Sequence, residues 1–159
     1  MRGAMKAAVA AAIMAGLAGP VLAGDAIVRD GRRFFAPTQS LPGTPQPPFS
    51  EAVEANGTLY VSGMIDIDPA TGKPPATAEE GARRVLDAFK ATLAQAGYGM
   101  DELVQVQIFA RDLADFPTFN KVYVTYFTGP KPARAFIGAG NLLAGAHFEV
   151  MGVAVKKGR

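Results

Sequence analysis

Residues 131–157 read as two short apolar strands, each with one charge set into it. Arg134 sits among Ala133, Phe136 and Ile137, and Glu149 among Phe148, Val150 and Met151. An unpaired ion loses more on leaving water than its apolar neighbours return, so each charge needs a partner or an exit. Two arrangements meet that demand. One is a structural ion pair, or two solvent-facing positions. The other is a pocket in which Arg134 grips an anion by a two-pronged hydrogen bond and Glu149 handles a proton or a water.

The opening of the chain has the build of an export signal. Arg2 and Lys6 precede the apolar run 7–17, Pro20 breaks it, and Val21 and Ala23 are the small residues before a cleavage point. The run is shorter than the roughly 20 residues a permanent span needs. Residues 1–23 are therefore expected to be a signal peptide, and the mature protein is expected to be exported to the periplasm with no membrane attachment. Of 159 residues 136 would remain, enough for one domain with one core. The signal carries two of the 16 basic residues, so the mature chain balances 14 against 14 acids. A neutral chain gives no footing for nucleic acid, and Arg29, Arg32 and Arg33 read as solvated charges. With no cysteine and a single histidine, His147, the chain has no disulfide, thiolate nucleophile or multi-histidine metal site within one subunit. The acids of 66–72 are too few and too irregular for calcium. No metal and no cofactor is expected.

Residues 24–47 read as a strand near 26–35 and a proline-stiffened arm, and residues 48–159 as the main domain. Asn56-Gly57 predicts a hairpin between strands 49–55 and 58–65. In the second of these Leu59, Val61, Gly63 and Ile65 would share one face, and Tyr60, Ser62 and Met64 the other. Thr77 and Glu80 form a capping-box pattern for a helix in which Ala82, Val85, Phe89, Leu93 and Ala96 recur at helical spacing, stopped by Gly97. A strand over 103–110 places Val104, Val106 and Ile108 inward. A second helix over 116–127, capped by Asp115, buries Phe116, Phe119, Tyr123 and Phe127. This order predicts an α+β fold, a mainly antiparallel sheet with two helices on one face. The other face, carrying Ser62, Met64 and Phe109, would be too apolar to stay wet and invites self-association.

In this setting the chain resembles the RidA (YjgF) family of reactive intermediate deaminases. The likeness rests on an ordered set: Pro48-Phe-Ser-Glu-Ala-Val53, Leu59-Tyr-Val-Ser-Gly63, Asp68-Pro-Ala-Thr-Gly72, Asp115-Phe-Pro-Thr-Phe-Asn120, Pro132-Ala-Arg134, and Glu149 ahead of Gly152-Val-Ala-Val155. The resemblance implies a chorismate-mutase-like subunit assembled as a homotrimer with three clefts between subunits. It also implies hydrolysis of enamines and imines such as 2-aminoacrylate to 2-oxo acids and ammonia. Carried over residue by residue, Arg134 binds the substrate carboxylate, Glu149 positions the water, and Ser62, Gly63 and Asn120 line the site. The chemistry suits these groups. An iminium carbon is already electrophilic, so the protein need only hold a carboxylate, deliver a water and accept a proton.

The chain departs from the family at three positions. Phe49 stands where the family commonly has a ligand-binding tyrosine, which removes one hydrogen bond worth about 0.5–1.5 kcal/mol. Phe136 replaces a small or thiol residue on the same strand face as Arg134, and Met64 replaces a glutamine. The alternative is thus a non-catalytic trimer that binds small carboxylates. RNA cleavage, a third reading, is opposed by the neutral charge and the lack of a histidine pair. His147 reads either as a proton partner for Glu149 or as a solvent-facing residue at the start of a strand.

Overall fold

A computed structural model describes residues 26–38 and 43–158, and the expected signal segment lies outside the described residues. The single strand expected over 26–35 is two, β1 (Ile27–Arg29) and β2 (Arg32–Phe35), paired antiparallel. Asp30 and Gly31 turn between them at φ 51° and 71°, a conformation that Asp-Gly accepts readily. β3 (Ala52–Ala55) starts later than expected, and the Asn56-Gly57 turn leads as predicted into β4 (Thr58–Ile65).

Helix α1 (Ala78–Ala96) has the predicted ends. The Thr77 side chain accepts from the Glu80 N–H, the Glu80 carboxylate reaches back to Thr77, and Gly97 closes the helix at φ 85°. β5 (Leu103–Ala110) follows. Helix α2 (Phe116–Tyr123) is shorter than expected and tightens into a 3₁₀ turn over Val124–Tyr126. Asp115 does not cap it. Asp112 instead accepts from the Ala114 N–H at 2.9 Å and starts a 3₁₀ turn that feeds the helix. β6 (Ala133–Gly138) and β7 (Phe148–Val155) complete the chain.

The strands form one sheet in the order β1-β2-β3-β4-β7-β5-β6. β6 and β7 are neighbours in sequence but not in the sheet. The crossover through α2 lays β6 parallel to β5 at an edge, and β7 returns antiparallel between β4 and β5. Both helices cover one face. Val85, Phe89 and Leu93 of α1 and Phe119, Val122 and Tyr123 of α2 are buried there with Phe148, Val150 and Ala154 of β7. The other face leaves Tyr60, Ile137, Met151 and Val155 exposed.

Two register shifts correct the expected faces. In β5 the shift between Leu103 and Gln105 turns Leu103 inward and leaves Val104 47% exposed. In β4 the ladder pairs Val61 with Gly152 but Met64 with Val150, so Ser62 and Gly63 form a bulge. Beyond it the alternation changes phase, and Met64 enters the core beside Thr92 instead of joining Ser62.

His147 takes neither of its expected roles. Its ring Nδ1 lies 2.8 Å from Asp66 Oδ2, while Asp66 Oδ1 accepts from the backbone N–H groups of His147 and Phe148 at 2.8 and 3.1 Å. Asp66 is fully buried, so this contact ties the end of β4 to the start of β7. Asp66→Ala would leave two buried donors unpaired. It should lower the unfolding free energy by about 3 kcal/mol in urea denaturation, whereas a loss under about 1 kcal/mol would mean the tie is not structural.

Candidate functional site

The bulge in β4 is what makes room for Glu149. Glu149 pairs with Ile65 on one side and Phe109 on the other, on the sheet face away from the helices. It crosses directly over Gly63, where a Cβ would overlap its Oε1 and lie 2.9 Å from its Cδ. A larger residue there would push that carboxylate aside. Among the described residues, neither a cation nor a hydrogen-bond donor is bound to the Glu149 carboxylate. It lines a cleft of about 460 Å³ together with Phe49, Ser62, Gly63 and Leu143.

Ser62 shapes this cleft from below. Its hydroxyl donates to the Ser50 carbonyl at 2.7 Å and holds the loop that presents Phe49. Next to it, the buried Glu51 accepts from the Thr92 hydroxyl at 2.6 Å and the Thr38 hydroxyl at 3.0 Å, and also from the Thr38 N–H. Glu51 thereby pins the arm where it leaves β2, and Pro37, Pro45 and Pro47 of the arm form a wall of the same cleft. Sequence reading missed this tether because a glutamate between Ser50 and Ala52 carries no local sign of burial.

Arg134 lies elsewhere. It is on β6 in register with Val106, whose side chain is in the core, so Arg134 points to the helix-covered face. Its guanidinium sits over the Tyr123 ring at 4.7 Å and near the Phe116 ring at 5.7 Å. Phe136 shares this face, as expected, and packs edge-on against Phe116 and Phe119. Phe116, Asn120 and Tyr123 recur at helical spacing and so present one side of α2 to this corner. Among the described residues, no carboxylate pairs with Arg134. Burial holds the Tyr123 hydroxyl's pKa above the ordinary phenol value, and Arg134 pulls it partly back. That hydroxyl is also buried without a hydrogen-bond partner.

The expected site residues therefore fall into two groups on opposite faces of one sheet. Phe49, Ser62, Gly63 and Glu149 gather at the cleft, while Arg134 and Phe136 lie on the edge strand under α2, the helix that carries Asn120. The two charges do not converge within one subunit. Phe116 is a further residue that sequence periodicity misplaced: at 42% exposure it is a platform beside the guanidinium, not part of the buried stripe.

Fold and site together define a class, an α+β subunit with helices on one sheet face and an acid-bearing cleft on the other. The chain belongs to the RidA/YjgF/L-PSP family, since the family model described as Endoribonuclease L-PSP matches residues 40–156. It is 34% identical over 110 residues to the 2-iminobutanoate/2-iminopropanoate deaminase of Mus musculus, covering 69% of this chain and 82% of the mouse protein. A RutC family protein of Pyrococcus horikoshii is 34% identical over 111 residues, covering 69% of this chain and 88% of that protein. Among solved structures, E. coli TdcF with bound serine superposes with a TM-score of 0.68 at 30% identity, covering 77% of this chain and 98% of that one.

Proposed function

We propose that the protein hydrolyses reactive 2-imino and 2-enamino acids to 2-oxo acids and ammonia, at sites shared between neighbouring subunits of a trimeric ring. The observation that carries this reading is the division of the two charges. Among the described residues, Glu149 stands uncommitted in a cleft on one sheet face, and Arg134 stands free of any carboxylate at the edge strand on the other. A ring that turns the open sheet faces inward would cover Tyr60, Ile137, Met151 and Val155, and a head-to-tail contact would join the Arg134 corner of one copy to the cleft of the next. The relative named as an iminobutanoate/iminopropanoate deaminase and the serine-bound relative support a small amino-acid-derived substrate. The export signal read at residues 1–23 would put this chemistry outside the cytoplasm.

In this mechanism the Arg134 fork holds the substrate carboxylate and so fixes the C2 atom over the neighbouring cleft. An enamine first gains a proton at C3 to become the iminium. Glu149 takes a proton from water as the water oxygen bonds to C2 and the C=N electron pair moves to nitrogen. Glu149 passes that proton to the nitrogen of the resulting amino alcohol, the C–N bond breaks with its electrons leaving on ammonia, and the hydroxyl proton passes to the departing ammonia, which leaves Glu149 ionised again. The sum is iminium plus water to 2-oxo acid plus ammonium.

The test follows 2-oxo acid release from an imine generated in situ from alanine. Enzyme should accelerate it above the spontaneous rate, and Arg134→Ala should lower kcat/KM by about a hundredfold. Unchanged release with Arg134→Ala would overturn the proposal. Tight binding of a 2-oxo acid without turnover would favour the carboxylate-binding alternative.

A further inference from the structure

Arg134 is the one charged residue of β6, and its side chain is half-buried under α2. Among the described residues no carboxylate meets it. A carboxylate would orient a guanidinium by taking its N–H edge, and would cancel the charge that a ligand seeks. A ring does the first without the second, because it meets the planar face and leaves the edge donors free. Two rings lie close: the Arg134 guanidinium carbon is 4.7 Å from the Tyr123 ring centre and 5.7 Å from that of Phe116. Phe116 is 42% exposed, whereas Tyr123 is 3% exposed and packs against Phe119 at 5.9 Å and Phe127 at 4.8 Å between ring centres. Tyr123 is thus the nearer ring and the one its neighbours hold still. Its hydroxyl is buried with no hydrogen-bond partner, so the contact with the arginine runs through the ring and not through the oxygen.

We propose that Tyr123 is a positioning residue: its ring is the fixed shelf on which the Arg134 guanidinium lies, with the N–H edge kept for a substrate carboxylate. The inference rests on the deaminase reading above, which gives the carboxylate to Arg134, and adds how that arginine is kept ready. An untethered arginine spreads over many rotamers, and a ligand that must gather it into one loses affinity in doing so. The Tyr123 face removes that loss in advance. The attraction is between a cation and the negative face of a ring, so it follows the electron density of the ring and not its size. Partial burial of the corner and the weak hydration of a guanidinium strengthen it.

The experiment varies that electron density at nearly constant shape. Tyr123→Phe removes the unpaired hydroxyl and keeps the ring, and the same protein is then made with phenylalanines bearing one, two or three ring fluorines at position 123. Each is expected to fold, checked by its melting temperature, because the ring volume hardly changes. Tyr123→Phe should bind pyruvate within about twofold of the parent, and the fluorinated series should weaken binding stepwise to about tenfold. KM for the alanine-derived imine should rise in parallel while kcat changes less than about threefold, whereas a merely loosened core would lower the active fraction and leave KM alone. In an Arg134→Ala background the series should be flat. A flat series with Arg134 present, a slope that persists without it, or a Tyr123→Phe loss as large as that of the trifluorinated ring overturns the shelf. Pyruvate affinity unchanged by Arg134→Ala overturns the carboxylate assignment, and the inference with it. A graded loss of pyruvate binding with no imine hydrolysed above the spontaneous rate rejects the deaminase reading and upholds the shelf.

Discussion

Mixing Arg134→Ala subunits with Glu149→Gln subunits, each strongly impaired alone, should restore turnover at about a quarter of the sites in a one-to-one mixture. The number follows from where the two charges lie. One subunit holds Glu149 on the open sheet face and Arg134 on the helix-covered face, so in the proposed ring a complete site would take its arginine from one copy and its glutamate from the next. In randomly mixed rings half the corners keep an arginine and half the clefts keep a glutamate, independently. The measurement is 2-oxo acid release after the two variants are unfolded together in urea and refolded, with native mass spectrometry confirming mixed assemblies. A site built within a single subunit would recover nothing, because every subunit lacks one of the two groups. No recovery from confirmed mixed rings would therefore reject the shared site.

Gly63→Ala should lower kcat by about a hundredfold while leaving the fold intact. The added Cβ would overlap Glu149 Oε1, so the carboxylate would have to swing away from its place over the bulge between Val61 and Met64. A displacement of about 1 Å at a reacting group is enough for a loss of this size. Because Gly63 faces the cleft rather than the core, the melting temperature should change little. The proposed mechanism assigns carboxylate binding to Arg134, so titration with a 2-oxo acid should give a Kd within a few-fold of the parent. An alanine variant with full kcat would show that Glu149 does not act from the position described.

Much of the fold was legible from local rules. The Thr77–Glu80 capping box, the Gly97 stop, the Asn56-Gly57 hairpin and the bounds of β4 and β5 all depend on neighbours in sequence. The β1–β2 hairpin had an equally local sign in Asp30-Gly31, and reading one strand across it ignored that turn chemistry. The phase of β4 had no such sign. Alternation assigns Met64 to the face of Ser62, and only the pairing with β7 shows that an extra residue is accommodated before it. His147 is a similar case: strand periodicity was extended to a residue that precedes β7, while its partner Asp66 is far away in sequence.

Taken alone, the sequence determined the element types, the one-sided helical cover, and two strand charges without an ordinary structural purpose. Those properties come from backbone propensity, capping and the cost of stripping water from an ion, which act over a few residues. Only the tertiary structure decided which sheet face each charge occupies. That depends on β7 inserting between β4 and β5, on the crossover that leaves β6 at the edge, and on a one-residue bulge. Side chains alternate with every residue, so a single shift in pairing moves a group through the sheet, and no window of sequence records the count on the opposite strand.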